Sequence, residues 1–350
     1  MPVHLVYRCA LKPLGSSGLV PYVLHYLSFV LGSLQAAWRI RSTGWRPDLI
    51  WASSPPLFTA ISGFGAAKFF HCPWVLDVRD LWPDTAVAAG QLREGGLAYR
   101  IGKWMERFFY NRANYITCVS TPMGEYISRA TATPVDVVYN GVPTETLRAA
   151  LPPNNVRDSA ARLLLYAGNL GRLQALDQLV RAVADLDADG GMKGWRVHML
   201  GAGALRSELE ALVHRLNIGH RIEIRPPVAR GAMSDELAAA SALFLSLRPD
   251  PVLAMTIPSK LFDYLATNKP IVAGIAGEGA AIARRTGGNL VYAPGDLAAL
   301  KRTLLELFDR FEELNALASA NCDVVRKGFS RDKSIAVLED VFKQLCKVRK

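Results

Sequence analysis

Short apolar runs alternate with stretches of helical spacing along most of the chain, and this alternation sets the expected fold. The runs at 48–53 (DLIWAS), 74–78 (WVLDV), 115–120 (YITCVS) and 135–140 (VDVVYN) suit strands covered on both faces. Helical periodicity fills 56–70, 95–112 and 122–130 between them. A second cycle starts at Arg162, with strand-like runs at 163–168, 196–201, 221–226, 242–247, 270–275 and 289–294 and helical segments such as 177–187 and 204–216. The pattern predicts an α/β protein with two doubly wound parallel sheets. Asn140-Gly141-Val142-Pro143, followed by Pro152, Pro153, Asn154 and Asn155, marks the linker. Residues 1–150 then form one domain and 155–328 another, with an amphipathic helix within 330–350 folding back on the first.

Two segments at the start need separate treatment. Val3 to Arg8 has the look of a strand, not of a charged start followed by an apolar leader. Tyr22 to Ile40 carries no formal charge before Arg39 and has the length of a membrane span. Yet His25, Ser28, Gly32, Gln35 and Arg39 recur on one side, and Leu24, Leu27, Leu31, Leu34 and Trp38 on the other. An amphipathic helix, packed or interfacial, is expected there.

At 350 residues, half of them apolar, the chain can bury two cores. Its five cysteines are scattered, without a CxxC pair or a histidine at ligand spacing, which fits reduced thiols in the cytoplasm and no metal site. The net charge of +10 is uneven: residues 1–150 hold 14 Lys and Arg against 9 Asp and Glu, 151–325 balance at 19 each, and 326–350 hold 8 against 3. No Arg-rich recognition helix, aromatic RNA-binding strand or zinc module accompanies the excess, so nucleic acid is set aside. Peripheral contact with the anionic inner face of the plasma membrane is the better match. Arg100, Lys103 and Arg107 share one helical stripe beside Trp104 and Phe108. That suits a membrane surface or a helix packed by its aromatics and solvated by its charges, and the second is expected.

Two such Rossmann-like domains facing one another enclose a cleft at the carboxyl ends of their strands, where open α/β sheets bind ligands. Three loops of the second domain converge there. In Gly168-Asn169-Leu170-Gly171-Arg172 the glycines admit a phosphate to the backbone and Arg172 can pair with it. Gly201-Ala202-Gly203 follows the next strand, a weak signal alone. Pro258 at a first helical position leaves the amides of Ser259 and Lys260 for an anion, and Lys260 adds charge that a bound anion would offset. Asp263, one turn further in, can accept from a ribose diol or merely complement the helix dipole. Together these loops suggest a nucleoside diphosphate. Pro226-Pro227-Val228 can present main-chain groups to its base.

In the first domain Asp77-Val78-Arg79-Asp80 ends a buried strand, where carboxylates are costly unless paired or used. Asp80 is the candidate for contacting the acceptor or the transferring sugar, with Arg79 as charge partner; an internal Asp–Arg pair that fixes the loop is the alternative. Ser53-Ser54-Pro55-Pro56 can line the same cleft. A nicotinamide-dependent oxidoreductase would rest on Gly201 and Gly203 alone, without the third glycine or the acidic residue that its site needs.

The motifs RDLWP (79–83), YNGV (139–142), LLYAGNLGRLQALDQLVRAV (164–183), LGAG (200–203), IPSKLFDYLATNKPIVAG (257–274) and GGNLVYAPGD (287–296) run through nearly the whole chain. In that order they resemble the family 4 retaining glycosyltransferases of the GT-B fold, in the WbuB-type branch that builds bacterial envelope polysaccharides. The resemblance implies a nucleotide-sugar donor, UDP-linked, on the second domain and a lipid-linked or saccharide acceptor on the first. It also implies retention at the anomeric carbon and no cofactor or metal. Lys260 would meet the diphosphate and Asp263 the ribose. Three departures stand out. The family's paired glutamates would fall at Met255 and Asp263, and the Arg and Lys of its first loop at Asn169 and Gln174. A first βαβ unit, on the order of 60–70 residues, is missing relative to the family's pattern, which leaves the first domain incomplete. A non-catalytic component of an envelope-assembly complex is the alternative function.

Overall fold

The computed structural model describes residues 6–13, 19–143, 145, 147 and 162–347, and the chain divides into two compact units. The proline- and asparagine-rich stretch at 152–155 lies outside the described residues. One unit holds residues up to Val87, Gln91–Tyr139 and the chain from Ala336 onward; the other holds Ala88–Gly90 and Asn140–Ile335.

The sheet of the first unit has four parallel strands, β1 (Ile50–Ser54), β2 (Trp74–Val78), β3 (Tyr115–Cys118) and β4 (Val135–Val137), in sequential order. Each apolar run forms its strand: β2 matches its run, β1 starts two residues late and extends one residue further, and β3 and β4 end two and three residues early, where the run opens the following loop. Successive side chains of β2 point to opposite faces. Trp74 packs against Phe64 and Phe109, whereas Val75 joins Tyr115 and Val341 in a second cluster. Val341 belongs to the final helix, Arg331–Lys347. Helices therefore cover both faces.

Two sequence expectations need correction in this unit. Residues 6–8 carry no strand, and residues 3–5 lie outside the described part. The long helix forms over Leu19–Ser42, but it buries Val30 and Ala37, while Leu31 and Trp38 of the leucine-rich stripe are 70% and 63% exposed. Small side chains explain the choice: Ser33 donates to Ser62 of the helix Phe58–Phe70, and Gly65 of that helix sits against Leu34, so the two helices approach closely. Among the described residues no helix is long and apolar enough to cross a membrane.

In the second unit β5 (Leu163–Ala167), β6 (Arg196–Leu200), β7 (Ile222–Arg225), β8 (Ala242–Ser246), β9 (Ile271–Gly274) and β10 (Leu290–Tyr292) make one parallel sheet in the order β10-β9-β8-β5-β6-β7. The direction of winding reverses between β5 and β8, the topological switch point where ligands bind beyond the carboxyl ends of the strands. Leu164, Tyr166, Val197, Met199 and Phe244 pack one face against the helices Leu176–Ala188, Arg206–Arg215 and Leu297–Asp309.

Candidate functional site

Beyond the carboxyl end of β5 the chain folds into a crevice that has no room for side chains. Gly168 has φ +144°, and a Cβ there would lie 2.4 Å from Lys260 Nζ. Gly201, with φ +156°, would place a Cβ 1.8 Å from the Gly168 carbonyl oxygen. A Cβ on Gly203 would meet the Leu170 backbone at 2.4 Å, and one on Gly171 would meet the Gln174 side chain at 2.7 Å. The loops are stitched by main-chain bonds: the Gly168 amide donates to the Leu200 carbonyl at 2.8 Å, and the Leu170 amide to that of Ala202 at 2.8 Å.

Lys260 reaches this crevice from the helix Ser259–Leu265. Pro258 is the residue that caps this helix, one position before the first-turn place assigned from the sequence, and Ser259 leads the helix. The Lys260 ammonium donates to Tyr166 Oη at 2.8 Å and lies 4.0 Å from the centre of the same ring, while Tyr166 Oη donates to the Asn169 carbonyl at 2.6 Å. Burial pulls the Lys260 pKa down to about 8, with the exposed Asp263 carboxylate acting in the opposite direction. A desolvated ammonium that forms no ion pair among the described residues is electrostatically unfinished, and a bound anion would complete it. Tyr264, one helical turn on, clamps the same strand end: its hydroxyl accepts from the Ala167 amide at 2.9 Å and contacts the Ala167 carbonyl at 3.2 Å.

The structure thus brings together Gly168, Asn169, Gly171, Gly201, Gly203 and Lys260. Ser259 and Asp263 stand exposed on the Lys260 helix, Arg172 is exposed on the β5 loop, and Val228 is half-buried after β7. Tyr166 and Gln174 are additions to the set. Tyr166 carries a sequence signal, an aromatic hydroxyl two residues before a strand-end glycine, that motif reading passes over. The Oε1 of Gln174 is buried without a hydrogen-bond partner, a polar atom free to meet a ligand donor.

In the first unit the register aligns Ser53, Asp77 and Thr117 on neighbouring strands. Asp77, 1% exposed, accepts from Ser53 at 2.7 Å, Thr117 at 2.8 Å and Arg79 Nε at 2.6 Å. Arg79 is therefore the charge partner of Asp77 and not of Asp80, since the carboxylate two residues back shares its strand edge. The internal Asp–Arg pair weighed above is present. Burial raises the pKa of Asp80, against hydrogen bonds from Thr85 and the Leu81 backbone. Asp84, the first residue of the short helix Asp84–Ala88, accepts from Tyr99 at 2.8 Å and Lys103 at 3.0 Å, and Lys103 also pairs with buried Glu106. Lys103 thus turns inward, away from the solvated stripe on which the sequence placed it.

With this geometry in place, comparison with known proteins defines the class. Residues 5–141 match the family described as Glycosyl transferase 4-like domain, and residues 161–310 match Glycosyl transferases group 1. Each half of the chain thus matches a glycosyltransferase domain model over its own residues, and the fold of two parallel-sheet Rossmann-like domains is that of the GT-B type. It is 26% identical over 276 residues to the Probable glycosyltransferase WbjE of Pseudomonas aeruginosa, a match covering 73% of this chain and 64% of that one. The chain therefore spans less than two thirds of that relative's length. Among solved structures, sucrose-phosphate synthase from Thermosynechococcus elongatus superposes with a TM-score of 0.77 at 17% identity, covering 97% of this chain and 83% of the other. Anabaena HepE in complex with UDP and glucose gives 0.72 at 15% identity, with 96% and 85% covered.

Proposed function

We propose that this protein transfers a sugar from a nucleoside-diphosphate donor, UDP-linked, to a lipid-linked or saccharide acceptor in bacterial envelope polysaccharide synthesis, with retention at the anomeric carbon. The observation that carries the reading is the Lys260 ammonium, desolvated at the glycine-lined mouth of β5 and braced by Tyr166. A pyrophosphate seated there would gain the ammonium and the amides that start the Lys260 helix, and both would stabilise negative charge on the departing diphosphate. Arg172 and Asp263 are assigned to the phosphate and ribose sides, Val228 to the base, and Asp80 to the acceptor side. The UDP in the HepE structure supports the choice of nucleotide, and the family of WbjE the choice of reaction. No cofactor or metal is assigned.

Calorimetric titration with UDP tests the reading. Lys260→Ala removes one charge-assisted bond, so affinity should fall by about 1.5–3 kcal/mol, roughly 10–150-fold, with the fold unchanged. Equal affinities would take Lys260 out of the site, and a protein that neither binds nor turns over any UDP- or GDP-sugar would end the proposal. Met255 at the place of a family glutamate favours a second reading, a non-catalytic subunit of an assembly complex, which detectable turnover by this chain excludes.

A further inference from the structure

A further cavity lies in the second unit, apart from the glycine crevice. Its volume is about 570 Å³, and every residue lining it belongs to that unit. Four arginines reach it from four different elements: Arg172 from the β5 loop, Arg181 from the helix Leu176–Ala188, Arg215 from the end of the helix Arg206–Arg215, and Arg248 from the loop after β8. The first and last of these loops are tied together, since the Arg248 amide donates to the Leu173 carbonyl at 2.8 Å. Neither Lys260 nor any glycine of the β5 crevice lines this cavity.

None of the four guanidinium groups forms an ion pair or a side-chain hydrogen bond among the described residues, although Asp177 and Glu208 line the same cavity. Other arginines of the unit are partnered: Arg221 holds Asp187 at 2.6 Å, and Arg225 holds both oxygens of Glu236 at 2.8 Å. Four like charges gathered against two carboxylates leave the cavity positive, which costs free energy until an anion enters. Arginine supplies all of that charge, and its planar fork meets the oxygens of a phosphate group two at a time.

We infer that this cavity is a second anion site, for the phosphate or diphosphate group of a ligand other than the nucleotide. A lipid diphosphate, as in an acceptor of the class proposed above, and a free sugar phosphate both present that chemistry. The site does not rest on the donor reading, because Arg172 is the one residue assigned to the donor that also lines it.

Calorimetric titration of inorganic pyrophosphate into the full chain tests it, in a Lys260→Ala background that weakens the donor crevice. Binding should persist there, and salt should lower it. Adding Arg181→Gln with Arg215→Gln removes two charge-assisted contacts and should weaken it by at least about tenfold. Arg196→Gln with Arg284→Gln, exposed residues of the same unit outside the cavity, makes the same change in net charge and should leave binding intact. Circular dichroism confirms that each variant is folded. Competition assigns the source: geranyl diphosphate displacing pyrophosphate at lower concentration than glucose 6-phosphate marks a lipid diphosphate, and the opposite order marks a free sugar phosphate. A chain that fails to bind UDP yet binds pyrophosphate in this pattern would lose the donor reading and keep the cavity. Absence of pyrophosphate binding, displacement by neither competitor, an affinity untouched by the Arg181 and Arg215 changes, or an equal fall in the control pair would overturn the inference.

Discussion

The glycine–lysine contact in the second unit shows how single residues specify the crevice. Gly168 and Gly201 have positive φ, and the first neighbour a Cβ on Gly201 would meet is backbone, which cannot rotate away. Gly201→Ala should therefore cost about 3 kcal/mol in urea denaturation, at the upper end for a point change, and should abolish UDP binding with it. Much of this was legible beforehand. The glycines after strand runs and Lys260 at a helix start mark themselves by position, because strand ends and helix starts are recognisable in one dimension. Tyr166 was not, since a buried tyrosine has the same pattern whether or not its hydroxyl braces an ammonium. Nor was the choice of partner for Arg79, which depends on the register that sets Asp77 beside Ser53 and Thr117.

At the level of elements, the ten strands among the described residues overlap apolar runs of the sequence, because parallel strands in a sheet covered on both faces leave an apolar signature. Helix faces were less legible. Leu97, Ile101 and Trp104 face solvent while Lys103 and Glu106 face inward, and periodicity alone assigns the opposite. Buried Lys269 ties two elements together: from two residues before β9 its ammonium donates to the carbonyls of Ala238, at 2.7 Å, and Ala240, at the end of the helix Met233–Ala239. Burial pulls its pKa from 10.5 to about 8. Between those values the unfolded chain binds more protons than the folded one, so this lysine makes stability rise with pH across the window and is least favourable below it. Lys269→Met should flatten that rise. It also leaves the two carbonyls without their donor, so unfolding free energy near neutral pH should drop by about 1–3 kcal/mol, as urea titrations at pH values on either side of the window would show.

For the molecule as a whole, two units with separate cores predict separable responses to ligand. A nucleotide held by the second unit stabilises that unit by mass action, about 2.7 kcal/mol at one hundred times its dissociation constant. Scanning calorimetry at that UDP concentration should raise the melting temperature, and in Lys260→Ala the gain should shrink to about 0.3–1.4 kcal/mol. The sheet orders were beyond the sequence, because strand runs say nothing of which neighbour each strand takes. The reversal between β5 and β8 that positions the crevice is a property of the folded chain alone.

The crevice beneath β5 is shaped by atoms that are missing, which limits how its preferences can be redesigned. At positions 168, 201 and 203 every substitution adds bulk against carbonyls or the ammonium, so these positions offer an engineer nothing to vary. A changed appetite for one sugar nucleotide over another would have to be introduced from the rim, through Asn169, Arg172 and Val228, where side chains already reach into open space or stand half-covered.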